Sequence, residues 1–187
     1  IPNGAPMILD MSTCIIAEGK IQVARNKGEQ LPDGAVLDGK GQPTRDPERF
    51  YADPPGAILP IAGHKGSGLS LVCEVLAGAL TGGGSTHPKN QTAKRMVNNM
   101  LSILIDADSI AGASAFSEDV QRLRDWVKAS PPITAGGEVL VPGEIERRTR
   151  ADREKNGVPL DDATKAQIAR AAVDVGLAKG EIDKALG

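Results

Sequence analysis

From Leu69 to Leu80 the chain reads Leu-Ser-Leu-Val-Cys-Glu-Val-Leu-Ala-Gly-Ala-Leu, with Glu74 as its single charge. A helix that is apolar nearly all round is buried on most sides, so a helix from Gly66 to about Leu80 demands further layers of structure around it. Its approach is Gly63-His64-Lys65-Gly66-Ser67-Gly68, which is cationic and rich in glycine. Unpaired N–H groups and the positive dipole end at a helix start favour an anion, Gly66 and Gly68 place no side chain in its way, and Lys65 adds a full charge. The segment matches neither the G-x-x-x-x-G-K-[ST] phosphate loop nor the G-x-G-x-x-G dinucleotide fingerprint. A nucleotide bound here needs a different cradle.

The layers around that helix must be aliphatic, because Phe50, Tyr51, Phe116 and Trp126 are the only aromatic residues. Platforms for base stacking are therefore missing. With 22 basic against 24 acidic residues and a pI near 5.7, the chain also has no excess charge for tracking phosphates, which argues against a nucleic-acid partner. The run Arg147-Arg148-Thr149-Arg150 is interleaved with Glu144, Glu146, Asp152 and Glu154 and reads as a solvated helix face. Cys14 and Cys73 are isolated in apolar surroundings, which predicts buried free thiols in a reducing compartment rather than a disulfide or a metal pair. No apolar run reaches the roughly 20 residues that span a bilayer, and the residues from Ile1 show no charged n-region followed by an apolar h-region. The expected setting is the cytoplasm. Beginning at Ile1 in Ile-Pro-Asn-Gly-Ala-Pro, the sequence reads as the continuation of a longer protein.

Pro6 to Met11 has the character of a buried strand that delivers Asp10 to a helix start, with Ser12 or Thr13 as cap for a helix from Cys14 to Asn26. Gly28 to Pro55 is dense in Gly, Pro and Asp and reads as a connecting loop around a short strand at Ala35-Val36-Leu37. Met100 to Ile105 predicts a central strand. Ser117 to Lys128 is amphipathic with Ser117 as N-cap, Val139 to Val141 reads as a strand, and Ile145 to Lys155 as a charged helix. Asp161 or Asp162 opens a last helix to about Val175. The fold class is mixed α and β.

Three segments together resemble a known family: Leu9-Asp10-Met11-Ser12-Thr13 followed by Gly19-Lys20, His64-Lys65-Gly66-Ser67-Gly68-Leu69, and Val141-Pro142-Gly143-Glu144. In order and spacing they look like the malate/L-lactate dehydrogenase type 2 family. The Gly63-His64-Lys65 spelling and Trp126-Val127-Lys128-Ala129-Ser130-Pro131 look closest to its hydroxycarboxylate dehydrogenase B branch. The resemblance covers essentially the whole chain but only the second part of such an enzyme. It implies an α/β protein with a largely antiparallel, non-Rossmann NAD(P)-binding sheet flanked by helices. Residues 1–141 would be the incomplete cofactor-binding domain, and residues 142–187 a helical segment packing on the absent N-terminal domain. It also implies NAD or NADP as cofactor, a small 2-hydroxy or 2-oxo acid as substrate, and a homodimer.

By the same resemblance, Leu9, Asp10, Met11, Ser12, Thr13, His64, Lys65, Asn98, Pro142, Gly143 and Glu144 contact the cofactor. No catalytic residue is assigned within this chain, because the family's proton-donating histidine lies upstream of Ile1. Local chemistry agrees in part: Asp10 can accept from ribose hydroxyls, while His64 and Lys65 can donate to anionic oxygen. Each has a blander alternative. Asp10 and Ser12 could serve as helix caps, His64 could be a satisfied structural histidine, and Glu144 could simply favour a helix dipole. Asn99 is an alternative register to Asn98. His87, in a glycine-rich loop beside Pro88, lacks the fixed position a general acid needs. The rival functional class is a non-catalytic interaction or structural domain that keeps the dehydrogenase fold.

Overall fold

The computed structural model describes residues 6–90 and 97–186. In chain order the elements are α1 (Glu18–Lys27), β1 (Val36–Leu37), β2 (Pro43–Thr44), α2 (Pro47–Phe50), β3 (Ala57–Ile58), α3 (His64–Cys73), α4 (Ala107–Ala111), α5 (Ala113–Lys128), α6 (Glu144–Asn156), α7 (Asp162–Asp174) and α8 (Lys179–Leu186). A π-helical turn over Glu74–Leu80 continues α3, and a 3-10 turn covers Pro88–Asn90. The chain divides into two compact units. One is formed by Ile1–Met11 with Met100–Val158, the other by Ser12–Asn99 with Pro159–Gly187.

In the larger unit β1 is the central strand of an antiparallel sheet ordered β2-β1-β3, pairing Val36 with Thr44 and with Ile58. Against it lies an apolar core of Ile21, Leu31, Ala35, Val36 and Phe50. The expected strand at 35–37 therefore forms, and the stretch read as a loop is a folded hairpin. Asp38 makes the hairpin turn by accepting from the backbone N–H groups of Lys40 and Gln42, each at 2.9 Å. Asp46 then caps α2 through Glu48 N. Helix α7 docks on α1 through Asn26, whose amide donates to Thr164 Oγ1 at 3.1 Å and Gln167 Oε1 at 3.3 Å. Asp161 is the N-cap of α7, as expected, accepting from Thr164 N at 2.8 Å.

Several local expectations are corrected. Helix α1 begins at Glu18 rather than Cys14, and its cap position is Ala17, so neither Ser12 nor Thr13 caps it. Helix α5 begins at Ala113 after Gly112, which places Ser117 inside the helix. Ala113 and Ala115, the best helix formers in this stretch, favour the extra turn. Residues 6–11, 100–105 and 139–141 form no strand. Strand propensity is realised only against a partner edge, and Met100 and Leu104 stand 80% and 92% exposed.

The apolar helix forms, but its side chains are not covered. Leu69, Leu71, Val72, Val75 and Leu80 are all exposed, contrary to the burial expected from the sequence. Composition states what a helix needs to bury; only the neighbouring layers decide whether it is buried. Cys73 on the same helix is exposed and Cys14 is half-buried, so the expected pair of buried thiols is corrected as well. Among the described residues no helix is long and apolar enough to cross a membrane.

Candidate functional site

In the smaller unit the sequence Val141-Pro142-Gly143-Glu144 folds as a type II turn. Proline stands at the second position and glycine at the third, where Gly143 has φ 93° and ψ −9°. Glu144 N donates to Val141 O at 3.2 Å, and Val141 N donates back to Glu144 Oε2 at 3.1 Å, so main chain and side chain close the turn together. Pro142 O accepts from Ile8 N at 3.2 Å. Arg147, one turn into α6, donates through Nη1 to Pro6 O at 2.9 Å. Two of the segments singled out in the sequence, Leu9 to Met11 and Pro142 to Glu144, are thereby held side by side.

Lys128, the last residue of α5, donates to both carboxylate oxygens of Glu144 at 2.8 Å. Sequence reading missed this role. The available signal was a lysine in the last turn of one helix facing a glutamate at the start of the next, a pair that complements both helix dipoles. Glu144 is held below the usual carboxylate range, first by Lys128 and then by the Val141 N–H. Glu138 is lowered in the same way by Arg148, which binds it bidentately at 2.6 and 2.7 Å.

A carboxylate whose folded pKa lies below its unfolded value stabilises the fold above that unfolded value, and the contribution is lost as pH falls through the folded one. Unfolding midpoints are therefore expected to drop as pH falls from about 5 to about 3. Glu144→Gln is expected to flatten part of that slope. An identical slope in both proteins would remove Glu144 from the acid response.

In the larger unit, Ser12 and Thr13 lie on a segment that runs antiparallel to Leu59–Ile61. Ile15 N donates to Leu59 O at 2.9 Å, Ile61 N donates to Thr13 O at 3.0 Å, and Cys14 bridges to Pro60. Ile61 leads directly into the turn that starts α3, so this pairing draws Ser12 and Thr13 toward His64 and Lys65. Among the described residues Ser12 Oγ bonds within its own turn, accepting from Cys14 N at 3.4 Å and donating to Cys14 O at 3.3 Å. The capping alternative for this segment is thus removed.

Helix α3 starts at His64, two residues earlier than expected, and this changes how its N-terminus is satisfied. Lys65 N, Gly66 N and Ser67 N donate to the carbonyls of Ala62, Ile61 and Gly63 at 3.3, 2.9 and 3.1 Å. These amides are consumed, so the expected cradle of free N–H groups is corrected. Gly66 is buried, and a Cβ there would lie 2.2 Å from Ile61 O; Gly68 faces open space. Packing therefore explains Gly66. Anion recognition is left to the side chains of His64 and Lys65, both exposed, and no ion pair among the described residues includes Lys65.

Of the two adjacent amides, Asn99 is the anchored one: its Nδ2 donates to Gly84 O at 3.1 Å, whereas Asn98 is exposed. His87 accepts from Lys89 N at its Nδ1 at 3.2 Å and helps shape the 3-10 turn. Glu74 accepts from Thr86 N and ties this loop back to the π-helical turn.

A family model described as malate/L-lactate dehydrogenase matches residues 1–169. Hydroxycarboxylate dehydrogenase B of Escherichia coli strain K12 is 38% identical over 173 residues, covering 92% of this chain and 48% of that protein. An L-lactate dehydrogenase of Cupriavidus necator is 36% identical over 152 residues, covering 81% of this chain and 44% of that protein. A solved E. coli structure assigned to the malate/lactate dehydrogenases superposes with a TM-score of 0.81 at 32% identity, over 97% of this chain and 51% of that one. The chain spans about half the length of the curated relatives it matches.

Proposed function

The chain belongs to the malate/L-lactate dehydrogenase family, and from that membership we propose that it is the cofactor-binding part of an NAD(P)-dependent enzyme interconverting 2-hydroxy and 2-oxo acids. The observation that supports this reading most directly is the start of α3. His64 and Lys65 stand exposed there while the surrounding backbone amides are already bonded, so both side chains are available to an anionic oxygen. The donor set of the larger unit suits a dinucleotide: a cation and an imidazole for phosphate, and the hydroxyls of Ser12 and Thr13 for ribose.

The proposed contacts are, in one unit, Leu9, Asp10, Met11, Pro142, Gly143 and Glu144, and in the other Ser12, Thr13, His64, Lys65 and Asn98. Because the Glu144 carboxylate is engaged by Lys128 and Val141 N, the contact from its turn falls to the main chain of Pro142 and Gly143. The nicotinamide, when bound, supplies the hydride chemistry. Lys65 and His64 hold its anionic portion. The proton donor of the reaction is a histidine contributed from outside residues 1–187. The sheet belongs to a non-Rossmann cofactor domain. A homodimer is part of the same proposal.

Titration of the complete protein with NADH and with NADPH tests this reading. Saturable binding of one or both is expected, and Lys65→Ala should weaken it by about tenfold, the equivalent of one charge-assisted hydrogen bond. Absence of binding to either nucleotide would falsify the proposal, and an unchanged affinity in Lys65→Ala would remove Lys65 from the site.

A further inference from the structure

We propose that Lys128 is a positioning residue that sets the Val141–Glu144 turn and, through it, the affinity of the protein for its dinucleotide. This rests on the cofactor reading of that turn, and it adds a residue outside the proposed contacts. An ion pair on a surface ordinarily contributes little. What separates this one is its place in the backbone. Glu144 is partly buried, its side chain 17% exposed, and one of its two oxygens also accepts the Val141 N–H that closes the turn.

Lys128 Nζ reaches further along the same segment, to Val139 O at 3.4 Å and Glu138 Oε1 at 3.8 Å. Arg148, four residues after Glu144 and so on the same face of α6, fixes Glu138 from the other side. The end of α5 and the start of α6 are therefore clamped onto residues 138–144 by two cations. Remove the Lys128 charge and Glu144 loses its hydrogen-bonded counter-charge; it is left near Glu138 and the Val139 carbonyl, offset only by Arg148, whose guanidinium is bonded to Glu138. The carboxylate is then better solvated outside, and on leaving it releases Val141 N–H. The turn loses its side-chain closure. Pro142 O, which holds Ile8 beside the turn, moves with it. Arg147 still ties Pro6 to α6, but the Pro142 side of the contact with Ile8 depends on the turn that Lys128 holds.

The test uses the complete protein with Lys128→Met, which keeps the aliphatic stem, and Lys128→Arg, which keeps the charge. Two quantities are read: dissociation constants for NADH and NADPH, and hydrogen exchange at the Val141 amide without nucleotide. Lys128→Met should weaken nucleotide binding by about tenfold, as expected for one lost charge-assisted interaction. It should also speed Val141 exchange and raise the KM for nucleotide while kcat at saturation stays within about twofold. Lys128→Arg should restore all three. Unchanged affinity in Lys128→Met, or unchanged Val141 exchange, overturns the positioning role, as does a loss confined to kcat. Failure of the unaltered protein to bind either nucleotide instead overturns the dehydrogenase reading, and Val141 exchange still reports separately on whether Lys128 holds the turn.

Discussion

Gly66→Ala is expected to destabilise the protein by about 3 kcal/mol, combining overpacking with the loss of a buried backbone hydrogen bond. A Cβ at this position would sit 2.2 Å from Ile61 O, 2.8 Å from Ile61 N and 2.9 Å from Ile61 Cγ1. Ile61 cannot retreat freely, because its carbonyl accepts from Gly66 N and its own N–H donates to Thr13 O. The substitution therefore strains the start of α3 and the Thr13 pairing at once, and nucleotide affinity should fall with stability. Gly68→Ala is the control: the position opens onto empty space within α3, so alanine should gain about 0.5–1 kcal/mol from helix propensity. Chemical denaturation of both variants decides between two explanations of the glycine pair. Equal midpoints for Gly66→Ala and the unaltered protein would refute the packing argument. A Gly68→Ala protein that is stable but binds no nucleotide would restore a ligand-approach role to Gly68.

Gly143→Ala should cost about 2 kcal/mol, because an L-residue at φ 93° is strained by about 1–2 kcal/mol and its Cβ meets a fixed backbone atom. That atom is Ile8 N, 3.2 Å away, with Ile8 Cβ at 3.4 Å; the closer contact, Arg147 Nη1 at 2.9 Å, is the end of a flexible side chain and can move. The expected result is loss of the Ile8 N to Pro142 O bond and separation of the two segments it joins. Gly143→Asn should recover part of the stability, since asparagine tolerates the third position of a type II turn better than alanine. If alanine and asparagine cost the same, steric contact with Ile8 rather than backbone strain dominates. No cost in either would contradict the turn geometry.

The candidate site was legible in the sequence as three separated segments, and its chemistry as a cation, an imidazole, hydroxyls and a carboxylate. What each residue is engaged in was less legible. Gly66 and Gly68 look equivalent in the string Gly-Ser-Gly, yet one is closed by Ile61 and the other is open. Glu144 read as a cofactor contact or a helix-dipole partner, while its carboxylate is taken up by Lys128 from sixteen residues earlier. Asn98 and Asn99 were not separable by pattern, and only the bond to Gly84 singles out the second.

Helices were read well wherever a cap or a charge pattern marks them locally, as at Asp161 and in the charged run of α6. Strands at 100–105 and 139–141 were not, because a strand is completed by hydrogen bonds from a different segment and the string records only one side of that pairing. Burial of α3 failed for a related reason: hydrophobicity is a property of the residues, coverage a property of what packs on them.

The sequence by itself determined the family, the order of the candidate segments and the helices with local signals, since these rest on residue identity and short-range spacing. Only the tertiary structure decided which amides are free, which glycine is closed in, and which lysine holds Glu144. Those depend on atoms brought within about 3 Å from distant positions, where hydrogen bonds and steric repulsion act.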